Sequence, residues 1–253
     1  MTLTFLGTGT STGVPMIGCD CHVCRSADSR DNRTRPSVLL RYDKRVVLID
    51  TTPDFRAQAL REGIDRLDAV LFTHAHVDHI LGLDDVRVFN FRQQAPIPIY
   101  ANQATLEAIQ RTFKYIFDGS RYHGAIPQLV PHVIEGPVEL FGCEFHPIPV
   151  MHGELEVLGF SFGNAAYVTD FSEIPSASKE KLRRLDLLTL DALRHKPHPT
   201  HSSLEQSLAL VKELEPRQAY FTHIAHDLPH AETNASLPPN VRLAHDGLSV
   251  EIS

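Results

Sequence analysis

At 253 residues the chain can form one large domain or two small ones, and 42% hydrophobic with 22% charged side chains is ordinary for a globular protein with a sizeable core. A formal net charge of −7 argues against a broad nucleic-acid-binding surface, which carries a basic stripe, yet it leaves room for a small anionic substrate beside bound metal. No apolar run approaches the roughly 18 residues of a membrane span, and Met1-Thr2-Leu3-Thr4-Phe5-Leu6-Gly7 lacks the basic and apolar regions of a signal peptide, so a cytoplasmic protein is expected.

β-Branched and aromatic runs bounded by turn residues predict strands at 2–6, 37–42, 46–50, 69–73, 97–101, 142–149, 159–162, 166–169, 187–190, 218–222 and 248–252. Helices are predicted at 54–62, 104–115, 178–184 and 202–213. The last has Ser202 as its cap, Glu205 three residues on, and Leu204, Leu208 and Val211 at helical spacing. Strands dominate the first half and alternate with helices in the second. The natural arrangement is a single α/β domain of two sheet layers with helices on both outer faces. Segment 84–128 has fewer apolar strands and several aromatics (Phe89, Phe91, Phe113, Tyr115, Phe117), and is expected to form an excursion over one edge of the site that acts as a lid or an interface; a homodimer is a possible assembly.

The apolar run Ala69-Val70-Leu71-Phe72 leads into Thr73-His74-Ala75-His76-Val77-Asp78-His79. Residues at i and i+2 do not share a helix face, so His74 and His76 read as ligands on a loop at a strand end, while Asp78 and His79 open a new element and point elsewhere. Later strands end in the same kind of residue: His152 after 145–150, Asp170 after Val168-Thr169, and His223 after Tyr220-Phe221-Thr222. All are expected at one edge of the sheets. A two-metal site follows, with His74, His76 and His152 on one divalent ion (Zn or Mn), Asp78, His79 and His223 on the other, and Asp170 bridging. His123, His132, His146, His230 and His245 have no supporting pattern and read as ordinary polar residues.

The order His74/His76/Asp78/His79, His152, Asp170, His223 resembles the metallo-β-lactamase-fold hydrolase superfamily. That resemblance covers nearly the whole chain and implies a four-layered αβ/βα sandwich with the site at the strand ends between the sheets. Asp170 and His223 favour the phosphodiesterase, ribonuclease and thioesterase branches.

Three of the four cysteines crowd into Gly18-Cys19-Asp20-Cys21-His22-Val23-Cys24. In a reducing compartment such a triple suits metal better than disulfides. A structural zinc takes four protein ligands; His226, in Thr222-His223-Ile224-Ala225-His226, is the preferred fourth, with His22 as the alternative. Cys143 lies in a strand-like context and is expected in the core. Leu6-Gly7-Thr8-Gly9, the cysteine cluster, the histidine motif and Thr222-to-His226 together are similar to the phosphoribosyl cyclic phosphodiesterases of the carbon–phosphorus lyase pathway, whose members carry a structural zinc beside a dinuclear site.

His201 precedes the last predicted helix, whose positive end favours anions; the resemblance implies that it contacts the substrate phosphate and assists the leaving group. Arg194 is a further candidate for contact with an anion. The expected reaction is hydrolysis of a small or cyclic phosphodiester, with a water bridging two ions acidified towards about pKa 7, Asp170 orienting it, Asp78 holding metal and His201 serving as general acid. The alternatives are an RNA-processing ribonuclease, a thioester or lactone hydrolase, and a non-catalytic metal-binding module. Membrane and nucleic acid are not expected as partners.

Overall fold

A computed structural model describes residues 1–119 and 125–252. In chain order the strands are β1 (Thr2–Gly7), β2 (Ser37–Tyr42), β3 (Arg45–Ile49), β4 (Ala69–Leu71), β5 (Ile97–Ala101), β6 (Leu129–Val133), β7 (Val138–Leu140), β8 (Cys143–His152), β9 (Leu155–Phe162), β10 (Ala165–Val168), β11 (Leu187–Asp191), β12 (Gln218–Thr222), β13 (Val241–Leu243) and β14 (Ser249–Glu251). They form two seven-stranded sheets, ordered β14-β1-β2-β3-β4-β5-β6 and β13-β12-β11-β10-β9-β8-β7. The helices are α1 (Phe55–Arg61), α2 (Val77–Ile80), α3 (Arg87–Gln93), α4 (Gln103–Thr112), α5 (Lys114–Phe117), α6 (Ser176–Lys181), α7 (Leu204–Leu214) and α8 (His230–Ser236).

Successive strand residues point to opposite faces, and that alternation builds the layers. On β3, Val47 and Ile49 face the second sheet, where they join Phe160, Phe162 and Tyr167. Val46 and Leu48 of the same strand face outwards, into a cluster with Phe55, Phe89, Leu106 and Ile109 from the helices. A third cluster packs Leu188 and Leu190 of β11 against Leu204, Val211 and Leu214 of α7. Three apolar layers therefore separate four layers of structure. The expected αβ/βα sandwich is the fold.

Strands β3 to β6 run parallel, as do β10 to β13. Strand β8 is antiparallel to β9, and β9 to β10, so β8 also ends at the edge where β10 ends. In open α/β sheets the carboxyl edge collects ligand-binding groups. At that edge the sheets are tied together by Leu158 N donating to the Thr73 carbonyl, 3.0 Å away.

Several local expectations need correction. Helix α7 is capped by Ser203, not Ser202: Ser203 Oγ accepts from Gln206 N at 3.3 Å, and Gln206 Oε1 accepts from Ser203 N at 2.8 Å. Ser202 is buried instead, where its hydroxyl takes a bond from Ser207. The helix predicted over 104–115 breaks at Phe113 (φ −107°, ψ 44°) into α4 and α5. Strand β8 runs on to His152 itself and β9 begins at Leu155. The short strands β6, β7 and β13 and helices α2, α3 and α8 were not predicted. Cys143 is only partly buried, at the rim of the inter-sheet core. Segment 84–128 supplies α3, β5, α4 and α5, and residues 120–124 of it, including His123, lie outside the described residues.

Candidate metal centre

The site is assembled from strand ends. Thr73 and His74 follow β4, His152 ends β8, Asp170 follows β10, Asp191 ends β11 and His223 follows β12; Asp78 and His79 lie on α2. Asp50, Asp170 and His223 each adopt a positive φ (66°, 54° and 57°) within two residues of the end of their strands. For residues with a Cβ that conformation costs energy, and here it turns each side chain into the cleft between the sheets.

The ligand atoms of His74, His76 and His152 gather within 4.8 Å of one another, as do those of Asp78, His79, Asp170 and His223. All seven predicted residues therefore come together, Asp170 falling with Asp78, His79 and His223 and also clustering with His152 and His201. His74 Nε2 lies 2.9 Å from His76 Nδ1. His79 Nε2 lies 3.4 Å from both Asp78 and Asp170, and His223 Nε2 lies 3.3 Å from Asp170 Oδ2.

Hydrogen bonds behind the rings set their tautomers. Asp50 Oδ2 faces His79 Nδ1 at 2.8 Å, so that nitrogen donates and Nε2 carries its lone pair inwards. Thr73 Oγ1 gives its proton to the same carboxylate at 2.8 Å and can only accept from His74 Nδ1, 3.0 Å away. His152 Nδ1 donates to the Thr200 carbonyl at 2.8 Å. Three imidazoles are thus fixed with Nε2 pointing into the cleft.

Electrostatics argue for a cation in the cleft. His79 Nε2 and both ring nitrogens of His223 are buried and have no hydrogen-bond partner among the described residues, a state that costs about 1–3 kcal/mol for each unsatisfied group. Burial opposes charge on His79, yet the Asp170, Asp50 and Asp78 carboxylates hold it well above its ordinary pKa. Burial likewise opposes charge on His223, which Asp170 in particular raises to about 9. Carboxylates that favour positive charge and ring nitrogens aimed at common points are the donor set of a divalent transition metal.

His201 lies beside this cluster. Its ring stacks on His223 (centroids 4.7 Å apart, 13° between planes), and its Nδ1 sits 2.8 Å from Asp191 Oδ2. It stands three residues ahead of α7 and is held by the carboxylate at the end of β11. Asp50 and Asp191 are not among the candidate site residues of the sequence. Both terminate apolar strands as Asp170 and His223 do, so the same signal could have found them.

The cysteine loop closes on His226, three residues after His223. His226 Nδ1 is 3.2, 3.4 and 3.5 Å from the sulfurs of Cys19, Cys21 and Cys24. His22 is exposed and outside the group. The Cys24 backbone N–H, working against burial, draws the Cys21 thiol down to about pKa 6, helped by hydrogen bonds from Cys19, Cys24 and His226. Three sulfurs and one imidazole at these separations match tetrahedral zinc with bonds of about 2.3 and 2.0 Å.

A family model for the beta-lactamase superfamily domain matches residues 45–224. The chain belongs to the beta-lactamase superfamily. Within it the chain is PhnP-like: it superposes on the crystal structure of a diphosphatase from the PhnP family with a TM-score of 0.93 and 56% identity, covering 98% of this chain and 96% of that one. Zn(2+)-bound PqqB from Methylobacterium extorquens shares the fold at a TM-score of 0.83 and 21% identity over 100% of both chains. An octanoyltransferase of Porphyromonas gingivalis is 39% identical over 251 residues, 98% of this chain and 51% of that protein. Ribonuclease Z of Bradyrhizobium diazoefficiens is 31% identical over 169 residues, 65% of this chain and 50% of that protein. The chain thus spans about half the length of the curated relatives it matches. Membership of this superfamily carries divalent-metal binding with it, in keeping with the donor set of the cleft. Among the described residues no helix is long and apolar enough to cross a membrane.

Proposed function

We propose that the chain is a metal-dependent phosphodiesterase acting on a small or cyclic phosphodiester. The observation that carries this reading is the placement of His201, bonded through Nδ1 to buried Asp191, beside the convergent histidine and aspartate cluster. His74, His76 and His152 would hold one divalent ion, and Asp78, His79 and His223 a second, with Asp170 between them. When bound, such ions supply Lewis acidity, lowering the pKa of water towards about 7 and offsetting charge on phosphoryl oxygens. Cys19, Cys21, Cys24 and His226 would hold a structural zinc.

The chain's own residues then have separate tasks. Asp50 and the Thr200 carbonyl keep His79 and His152 in the ligand tautomer. Asp170 lies within reach of His79 and His223 and also clusters with His152 and His201, so it would set the spacing of the two groups. His201, with Asp191 behind it to stabilise the imidazolium, presents Nε2 to hold and release a proton at the leaving oxygen.

Hydrolysis of a phosphoanhydride is the second reading, favoured by the likeness to a PhnP-family diphosphatase; it uses the same groups, with a phosphate as leaving group. The ribonuclease reading is weakened by the net charge of −7. The acyl-transfer name of one relative belongs to a protein about twice as long. The test is a panel assayed with zinc- and manganese-loaded protein: a 2′,3′-cyclic nucleotide, a linear chromogenic diester, a dinucleoside diphosphate, a precursor transfer RNA and a thioester. Turnover of the diesters with a free leaving alcohol is expected. Cleavage of the RNA or thioester alone would overturn the assignment.

A further inference from the structure

Towards its catalytic edge the layer between the sheets turns polar. Side chains two apart on a strand share a face, and residues paired across parallel strands lie side by side. Tyr167 of β10 pairs with Thr189 of β11, and Asp191, two residues on, pairs with Thr222 of β12. Tyr167, Leu187 and Tyr220 belong to the core between the sheets, while Leu188, Leu190 and Phe221 face the outer helices. By that alternation Thr189, Asp191 and Thr222 face inwards with Tyr167. All four are fully buried.

Five atoms of this patch have no hydrogen-bond partner among the described residues: Tyr167 OH, Thr189 Oγ1, Thr222 Oγ1, Asp191 Oδ1 and His223 Nδ1. Native interiors leave few such atoms unpaired, and here they fall on three adjacent strands and the residue that follows β12. His223 Nδ1 stands 3.8 Å from Asp191 Oδ1, beyond a direct bond. The other oxygen of Asp191 is taken by His201 Nδ1 at 2.8 Å. His74, His79 and His152 each have a protein partner behind the ring at Nδ1; His223 has none. A buried donor and acceptor set apart and flanked by hydroxyls suit an interior water, which accepts from one group, donates to others and makes about three bonds.

We infer that β10, β11 and β12 hold at least one structural water between the sheets, bound by the hydroxyls of Tyr167, Thr189 and Thr222, and that it joins His223 Nδ1–H to Asp191 Oδ1. The bond keeps the His223 proton on Nδ1 and turns the lone pair of Nε2 towards Asp78 and Asp170. This consequence for His223 rests on the metal-centre reading above. Asp191 thereby serves two rings, one through each oxygen: His201 directly and His223 through the water. Tyr167, Thr189 and Thr222 are positioning residues that act through it.

The sign of a stability change tests the site. Thr222→Val keeps the shape of the side chain and removes its hydroxyl. Removing a buried hydroxyl that bonds to nothing relieves a desolvation cost and leaves Tm level or higher. Removing one that holds a water should instead lower Tm by about 2–4 °C. Thr189→Val should do the same, and the double variant should lose less than the sum, because both side chains act on one molecule. Zinc titration of stripped protein should show cleft affinity reduced about tenfold or more in Thr222→Val, the cost of a lost partner behind a ligand ring, and restored in Thr222→Ser, which keeps the hydroxyl. Magnetic relaxation dispersion of the solvent should count at least one fewer long-lived internal water in Thr222→Val than in wild type. Unchanged or raised Tm in both valine variants, with the wild-type count of long-lived waters, would overturn the site. A wild type that takes up no zinc in the cleft would overturn the metal reading, and the water count and Tm would still judge the site between the strands.

Discussion

Asp50 touches no predicted ligand position in the sequence, yet it organises two of them. Its oxygens take the Thr73 backbone N–H at 2.9 Å, the Thr73 hydroxyl and His79 Nδ1, all within a fully buried pocket. Asp50→Asn would present an amide N–H or a weaker acceptor to His79 and free the ring to flip its tautomer. Loss of such an outer carboxylate typically costs 10–100-fold in metal affinity, so titration of the stripped variant with zinc should show a fall of that order. Retention of wild-type affinity would mean that Thr73 alone orients the rings. His201 makes the opposite prediction. Its ring belongs to neither of the two main donor groups, so His201→Ala should lower turnover by about 10²–10⁴-fold on a diester with a poor leaving group, with metal content unchanged by elemental analysis. An unaltered rate would remove it from the chemistry. These residues also mark what could be read directly from the chain. The seven cleft groups were legible because His74, His152, Asp170 and His223 each follow an apolar run, and His76, Asp78 and His79 sit in the motif that the first of these opens. Asp50 and Asp191 follow such runs too, but an aspartate at a strand end is also an ordinary turn former, and only the pairing with a histidine ring tells the two apart.

Elements were legible where burial on both faces made a long apolar run and illegible where tertiary contacts overrode local signals. Strands β2, β3, β4, β5, β11 and β12 stand within a residue or two of their predicted bounds because both faces are covered. The exposed edge strand β6 contains Pro131 and has little apolar burial to announce it. Helix α2 is four residues long and has no amphipathic period to detect. The start of α7 was misplaced by one residue because two adjacent serines offer the same cap, and only the burial of Ser202 against Ser207 decides between them. Helix α2 also sits over a close backbone approach: a Cβ placed on Gly82 would lie 2.1 Å from the Thr52 carbonyl oxygen and 2.8 Å from Phe55 Cβ. Gly82 N donates to the Thr51 carbonyl at 2.9 Å, which pins the end of α2 to the loop after β3. Gly82→Ala must push these segments apart. Overpacking of this kind costs about 1–3 kcal/mol, and because the displaced helix carries Asp78 and His79, metal affinity should fall together with Tm. A variant with lower Tm and unchanged affinity would show that α2 moves as a rigid unit independent of the loop.

At the scale of the molecule, the N-terminal 30-odd residues act as a belt drawn against the C-terminal third. Thr10 N donates to the Ile224 carbonyl and Ile224 N to the Thr8 carbonyl, at 3.1 and 2.8 Å, directly beside His223. The cysteine loop meets His226 on the same segment. The belt is closed by buried Arg33, which donates to Thr8 Oγ1 at 2.9 Å, to the Ala244 carbonyl at 2.6 Å and to His230 Nδ1 at 3.2 Å. His230, which looked like an ordinary polar residue in the sequence, is 5% exposed and held besides by its backbone N–H to Asp31 Oδ1 at 2.8 Å. An acceptor for a guanidinium must be neutral. Burial first, and then the charges of Arg33, Arg30 and neighbouring His245, push its pKa down to about 4, with Asp28 acting weakly the other way. In the unfolded chain the ring titrates near its ordinary value of about 6.5. Between those two values the unfolded state binds a proton that the folded state refuses, so stability falls as pH falls. The His230 contribution is therefore complete above about pH 6.5 and is lost progressively towards about pH 4. His230→Asn keeps an oxygen that can accept from Arg33 and removes the titration. The difference in Tm between wild type and this variant should accordingly shrink, or change sign, on acidification from about pH 7.5 to about pH 5, while carboxylate titration common to both proteins cancels. A difference that stays constant across that range would show that the ring can take up its proton without loosening the belt.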